Sequence, residues 1–361
     1  MSHVATRPST GLRIGRLDDR AGWRELAAYG SISTPFVDEP WVSSWMDAFQ
    51  PPEPLLVGAW DEDRLVGLAA MQRLTERWAG RKVTVLQSLT NVECSRFDFL
   101  AWKERLDVLE RLWQALCSEA CDVIRLDHLP EGSPTVLTGL KVAADLGWQS
   151  HIYQTFDSPW RALLPPPASW DEGLSRKFKS NLRNREHRIQ ELGAVTFEVA
   201  TGGDLKRAFE IYYELDSNSW KSQSGTAVFQ QANVKTFYDR LVERAPEQIW
   251  IPVLSVNGKP AAAQFLLVRD RTIFLQKTAY NLEFSPYTPG QLLTARVIRH
   301  GLAHEMAALD FLAANMTWKA DWAPRIRPHY QLLLFAPSMT GRYAYWSRYG
   351  VRQTAKALVR G

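Results

Sequence analysis

A chain of 361 residues exceeds the size at which one hydrophobic core stops growing, so its length calls for two domains. Its 45% hydrophobic and 23% charged residues are those of a globular protein and exclude a disordered chain. An excess of 43 Lys+Arg over 39 Asp+Glu, net +4, is too small to demand a nucleic-acid or membrane partner by itself.

Met1 to Thr10 lacks the apolar core of a signal peptide, and no apolar run approaches the ~20 residues of a membrane span, so a cytoplasmic protein is expected. Leu55 to Trp60 reads as a strand, Asp61-Glu62-Asp63 as a turn, and Leu65 to Leu74 as the returning strand. Cys94, Cys117 and Cys121 include a Cys-x3-Cys pair but no second pair to complete a zinc site, and are read as reduced thiols. Helix Leu109 to Ala120 leads into a strand Val123 to His128. Ser158 to Ser169, with Pro159 and Pro165-Pro166-Pro167, cannot be helical and marks the expected domain boundary.

The second half repeats the plan. Strands Trp250 to Val256 and Lys259 to Val268 flank Asn257-Gly258, the strongest short hairpin signal. Helix Gln291 to Met306 then leads into strand Ala308 to Leu312, as in the first half, which suggests an internal duplication. The domains expected are 10–160, 161–338 and a basic aromatic C-terminal helix, 339–361. In that helix Arg342, Arg348, Arg352, Lys356 and Arg360 alternate with Tyr343, Tyr345, Trp346 and Tyr349. It suits either a membrane or nucleic-acid surface, or packing on its own domain with snorkelling cations. Fifteen Trp are a high count for this length, and since Trp is rarely fully buried, several are expected to line clefts or an interface.

The chemistry concentrates between Lys277 and Lys319. A strand Thr272 to Tyr280 is followed by a loop and by Pro289-Gly290 opening a helix. Pro suits the first helical position, and Gly lets a ligand approach free N–H groups, which together favour an anion. A plain loop-to-helix junction would look the same. His300 and His304 with Glu305 could place two metal ligands on one helix face, but no third ligand is evident and no metal is expected. No nucleophile-elbow signature supports a Ser-His-Asp triad.

Several strings carry a family resemblance. Leu275-Gln276-Lys277-Thr278-Ala279-Tyr280 followed by Tyr287-Thr288-Pro289-Gly290-Gln291-Leu292-Leu293 resembles the core signature of one branch of the GNAT acyltransferase superfamily. That branch holds the CelD-type cellulose-biosynthesis proteins and the Fem-type peptidoglycan ligases. Asp310-Phe311-Leu312 with Trp318-Lys319 and Trp322, the basic helix from Arg176 through Arg183, and Thr34-Pro35-Phe36 with Trp41 and Trp45 are similar to further motifs of that branch, in the same order. The sequence departs from the pattern at Ala314, where the family has Gly, and at Asn315, near which it has an acidic residue.

The resemblance implies an α/β (α+β) fold of two tandem GNAT-like domains, each a twisted mixed sheet flanked by helices, the first degenerate and the second catalytic. It implies an N-acyltransferase with acyl-CoA as co-substrate and no prosthetic group, acting on an amine or hydroxyl of a small metabolite, sugar or amino acid. The alternatives are an aminoacyl-tRNA-dependent, Fem-like transferase and a non-catalytic binding protein that has kept the fold. The donor would sit on Tyr287, Thr288, Pro289, Gly290 and Gln291, between splayed strands whose N–H groups hold the thioester carbonyl. Asp310, Lys319 and Lys277 are the catalytic candidates, although Asp310 could equally be a cap or buried acceptor. Phe36, Trp41, Trp220, Tyr280, Asn315, Trp318 and Arg183 are the substrate-binding candidates, with Arg183 on a helix that is either a solvated face or a funnel for CoA or a tRNA end.

Overall fold

A computed structural model of the chain describes residues 11–105, 107–167, 169–218, 231–322 and 325–350. It divides into two compact units, one of residues 1–42, 51–155 and 329–361, the other of residues 43–50 and 156–328.

The walk begins with β1 (Leu12–Arg16), α1 (Trp23–Tyr29) and α2 (Glu39–Phe49). A long hairpin, β2 (Pro54–Asp61) and β3 (Arg64–Trp78), pairs Leu55 with Met71 and is continued by β4 (Arg81–Ser88). A short β5 (Leu100–Ala101) leads to α3 (Asp107–Ser118), β6 (Val123–Pro130), α4 (Pro134–Asp145) and β7 (Gln149–Ala162). The second half runs α5 (Arg176–Gln190), β8 (Val195–Ala200), α6 (Leu205–Ser217), α7 (Ala232–Arg244), β9 (Ile249–Val256), β10 (Lys259–Arg269) and β11 (Thr272–Tyr280). It ends in α8 (Pro289–Ala303), β12 (Ala308–Asp310), α9 (Thr317–Ala320), β13 (Arg325–Phe335) and α10 (Met339–Tyr345).

The strand plan of the first unit is β1-β2-β3-β4-β6-β13, antiparallel throughout except that β6 lies parallel to β4. The second unit reads β8-β9-β10-β11-β12-β7, antiparallel except that β12 lies parallel to β11. The plans are the same, and in each the last strand comes from the far half of the chain: β13 completes the first unit and β7 the second. Both hairpins foreseen from sequence are present. At Asn257-Gly258 both φ angles are positive, 50° and 76°, as a tight hairpin turn needs.

The stretch from Ser158 is non-helical and begins as strand: Trp160, Arg161 and Ala162 pair with Asp310, Leu309 and Ala308, and Pro159 is tolerated because its carbonyl, not its absent N–H, bonds Phe311. Two expectations are corrected. The strand expected through Leu312 stops at Asp310, since Leu312 and Ala313 turn left-handed at φ 53° and 47°. The helix expected from Gln291 to Met306 runs from Pro289 to Ala303, capped at His304.

Local patterning explains the elements that frame the site. In α8 the residues Leu292, Leu293, Ala295, Val297 and Ile298 are buried among Ile273, Leu275 and Leu309. At about 1.5–3 kcal/mol per large apolar side chain, this packing holds the helix start rigid. In α5, Ser175 caps the helix through the Phe178 N–H, and Phe178, Leu182 and Ile189 form its buried stripe. The end of the chain that is described packs on the first unit, with Ala344, Tyr345 and Tyr349 against Trp78 and Phe335. No described helix is long and apolar enough to cross a membrane.

Candidate functional site

In the second unit β11 pairs with β12 only from Thr272 to Phe274, opposite Ala308 to Asp310. β12 then ends while β11 runs on to Tyr280, so the two parallel strands part. Facing the parted edge is the start of α8. Thr288 is its cap in left-handed conformation, φ 47°, Pro289 is the first helical residue, and the first turn has no acidic side chain. Thr288 O accepts the Gln291 and Leu292 N–H groups, and no partner for the Gly290 N–H occurs among the described residues. Gly290 O accepts the Thr294 hydroxyl, which in turn accepts from buried Gln264. The helix start is thereby tied to β10. A Cβ on Gly290 would stand 3.4 Å from Thr278 Cγ2 on β11, which measures how close helix and strand approach.

The matching place in the first unit is closed. Beyond the Val85–Gln87 pairing of β4 with β6, the Asp127 N–H donates to Ser88 Oγ and the Phe97 N–H to His128 O, so the loop after β4 bridges the edge. The helix that follows, α3, carries Asp107 and Glu110 in its first turn, where α8 has no acidic residue.

At the end of β12, Asp310 is 2% exposed. Its Oδ1 accepts the Leu312 N–H at 3.0 Å and the Ser158 hydroxyl at 3.4 Å, and its Oδ2 accepts Arg327 Nη1 at 2.9 Å. The bond to Leu312 is an Asx-turn that folds the chain out of the strand where β11 and β12 part. Lys319 on α9 is 5% exposed, and its Nζ donates to Leu312 O at 2.5 Å and Ala314 O at 3.1 Å. Burial pushes the ammonium down from its ordinary 10.5 to about 8, against the opposing pull of the Asp310 carboxylate.

The structure brings Asp310 and Lys319 to the two sides of one residue, Leu312, whose N–H Asp310 accepts and whose carbonyl Lys319 bonds, and gathers Tyr287, Thr288, Pro289, Gly290 and Gln291 at the α8 start. Lys277 and Tyr280 lie on the part of β11 beyond the pairing, Lys277 half-buried with its Nζ 5.9 Å from the Tyr238 ring. Trp318 is half-buried against Phe311, and Asn315 is exposed in the loop before α9. Arg183 is exposed on α5 and returns its Nε to Lys179 O. Arg188 of the same helix lies over Tyr287, at 5.3 Å. Phe36 and Trp41 pack edge to face in the first unit, each 2% exposed, and so offer a ligand no surface. Trp220 lies outside the described residues. The His300 and His304 rings lie 4.0 Å apart, tilted at 35°, beside Trp250, and no cluster suited to a metal occurs among the described residues. Cys94, Cys117 and Cys121 are unpaired, their thiols pushed up to about 12 by burial.

Sequence reasoning missed Ser158, Trp160 and Arg327, the residues that hold Asp310. The one cue was Arg325 and Arg327, two apart and so on one face of a strand; both guanidinium groups lie over Trp160, at 5.3 and 5.1 Å.

Residues 176–320 match the acetyltransferase (GNAT) domain family, so the second unit carries a GNAT domain. No protein of curated function matches the sequence. Among solved structures, FemX superposes with a TM-score of 0.60 at 10% identity, over 89% of this chain and 96% of its own. The C-terminal domain of a lysylphosphatidylglycerol synthetase, so named by inference, from Agrobacterium fabrum does so at 0.54 and 12%, over 84% and 91%. L-PGS from Bacillus licheniformis gives 0.50 and 12%, over 86% and 96%. At these identities the likeness is one of fold.

Proposed function

We propose that the chain is an N-acyltransferase that moves an acyl group from acyl-CoA to an amine or hydroxyl of a small metabolite, sugar or amino acid, with the second unit catalytic and the first structural. The observation that carries this is the contrast between the units: one strand plan occurs twice, but among the described residues only the second has strands that part without a bridging loop, facing a helix start free of acidic residues. The donor's pyrophosphate would lie at Gly290, where the N–H and the helix dipole favour it and Arg188 adds positive charge.

The acceptor nitrogen attacks the thioester carbon, the C–N bond forms, and the carbonyl electrons move onto oxygen, where N–H groups in the gap stabilise them. Collapse restores the carbonyl and breaks the C–S bond, and the thiolate leaves. Holding the two reactants together supplies on the order of 7 to 11 kcal/mol, so little remains beyond moving one proton from nitrogen to sulfur. Lys319 suits that task. A neutral amine has two N–H donors and one lone pair, and Leu312 O and Ala314 O hold two donors. The lone pair, or the third N–H of the ammonium, is left to exchange a proton without loss of either anchor, and a value of about 8 matches proton transfer near neutral pH.

Thermal stabilisation by acetyl-CoA, longer acyl-CoAs and aminoacyl-tRNA tests the reading. Stabilisation by a CoA species is expected, and silence from all of them would refute the donor assignment. A second reading, with aminoacyl-tRNA as donor, is favoured by the exposed Arg176, Lys177 and Arg183 of α5, which suit a polyanion longer than CoA. The same gap would then receive an ester in place of a thioester.

A further inference from the structure

We propose that Arg327 is a positioning residue for Lys319: by clamping the Asp310 carboxylate it fixes the Asx-turn that presents the Leu312 carbonyl to Lys319, and it keeps the Asp310 charge from holding the Lys319 proton. The inference rests on the reading of Lys319 as the proton carrier.

The links are consecutive. Arg327 lies over the Trp160 ring, and Trp160 is the residue of β7 paired with Asp310. Trp160 thus sets the guanidinium beside the carboxylate that its own strand faces. Arg327 Nη1 then bonds Asp310 Oδ2, while Ser158 and the Leu312 N–H bond Oδ1, so both oxygens are engaged and the carboxylate cannot rotate. With Oδ1 fixed, the backbone leaves β12 through two left-handed residues, Leu312 and Ala313, neither of them glycine. Non-glycine residues hold such angles only where their surroundings over-determine them. The turn carries two of the carbonyls that bear on the amine: Leu312 O, and Ala314 O just after it.

The electrostatics follow the same path. Asp310 is the carboxylate that raises the proton affinity of Lys319, and Arg327 is its counter-ion. Among the other cations on the packed strands, Arg161 of β7 directs its donors to the carbonyls of Trp322, Trp170 and Glu172, and Arg325 of β13 lies over Trp160. Removing the Arg327 charge deprives the Asp310 carboxylate of this counter-ion, which strengthens its pull on the Lys319 proton and raises the Lys319 titration.

The test is an NMR titration of the full chain with 13C-labelled lysine side chains, the Lys319 signal being assigned by its loss in Lys319→Met. Wild type should titrate near 8. In Arg327→Met the midpoint should rise by about one unit or more, a tenfold or greater gain in proton affinity. Arg327→Lys, which keeps the charge, should return it most of the way. In Asp310→Asn/Arg327→Met the rise should vanish, because the carboxylate that caused it is gone. A purely structural arginine would not give this reversal. If Arg327→Met does not fold, Arg327→Gln keeps a donor for Oδ2 without the charge, and the same rise is expected. A midpoint unchanged in either neutral variant overturns the proposal, as does a rise that persists in the double variant. The titration needs no substrate, so failure of the acyltransferase reading, seen as absent CoA binding, is distinguished from failure of the Arg327 assignment.

Discussion

Gly290 is the position at which the donor assignment is most directly exposed. Its φ is not in the left-handed region, and an added Cβ would meet Thr278 Cγ2 at 3.4 Å, an ordinary contact. Gly290→Ala should therefore fold normally, with a melting temperature equal to or slightly above wild type, since alanine favours a helix by up to about 1 kcal/mol. Gly290→Leu places three further carbons between α8 and β11, where a phosphate would approach the N–H. One charge-assisted hydrogen bond is worth about 1.5–3 kcal/mol, so its loss predicts a roughly 10- to 150-fold weaker CoA affinity for Leu, with Ala between. Isothermal titration calorimetry with CoA on folded protein reads this directly. Wild-type affinity in Gly290→Leu would refute the placement of the donor at α8, whatever the catalytic activity.

Three other outcomes are expected. Lys319→Met should lower turnover by on the order of 100-fold or more, the usual worth of a positioned acid–base group, while CoA affinity from calorimetry changes little. The same variant isolates a pH effect. Because folding lowers Lys319 from 10.5 to about 8, the unfolded chain binds more protons between those values, so wild-type stability gains at most about 3 kcal/mol as pH rises through that window. The buried thiols, raised to about 12, oppose this at the alkaline end, but they cancel in the difference between wild type and Lys319→Met, measured by urea denaturation at several pH values. A difference that does not change with pH would contradict the burial argument. Arg161→Met should destabilise the second unit by about 3 kcal/mol, because Arg161 donates to the carbonyls of Trp322, Trp170 and Glu172 at 2.9, 3.1 and 2.6 Å and all three would lose that partner. A loss below about 1 kcal/mol in urea denaturation would show that water replaces the guanidinium.

Much of the frame was legible because it is local. Asn257-Gly258 specifies a hairpin through two positive φ angles, and Pro289 followed by Leu292, Leu293 and Val297 specifies both the start and the buried face of α8. The order of elements, written twice, gave the duplication. Lys319 stood out by its place beside Trp318, but its burial did not, since a lysine preceded by Asn315, Met316 and Thr317 has the local pattern of a solvated turn.

By itself, then, the sequence determined the repeated hairpin-helix-strand plan, the acid-free helix start at Gly290 and the presence of Asp310 and Lys319 at the end of the second pass, all within short stretches where neighbouring residues fix the backbone. Tertiary structure alone decided which strand lies beside β12. Setting Trp160 against Asp310 joins residues about 150 positions apart, and no periodicity of 2 or 3.6 residues encodes a register between such distant strands. That register sets Ser158, Trp160 and Arg327 around one carboxylate, turns the chain at Leu312, and makes a buried, weakly basic amine of Lys319.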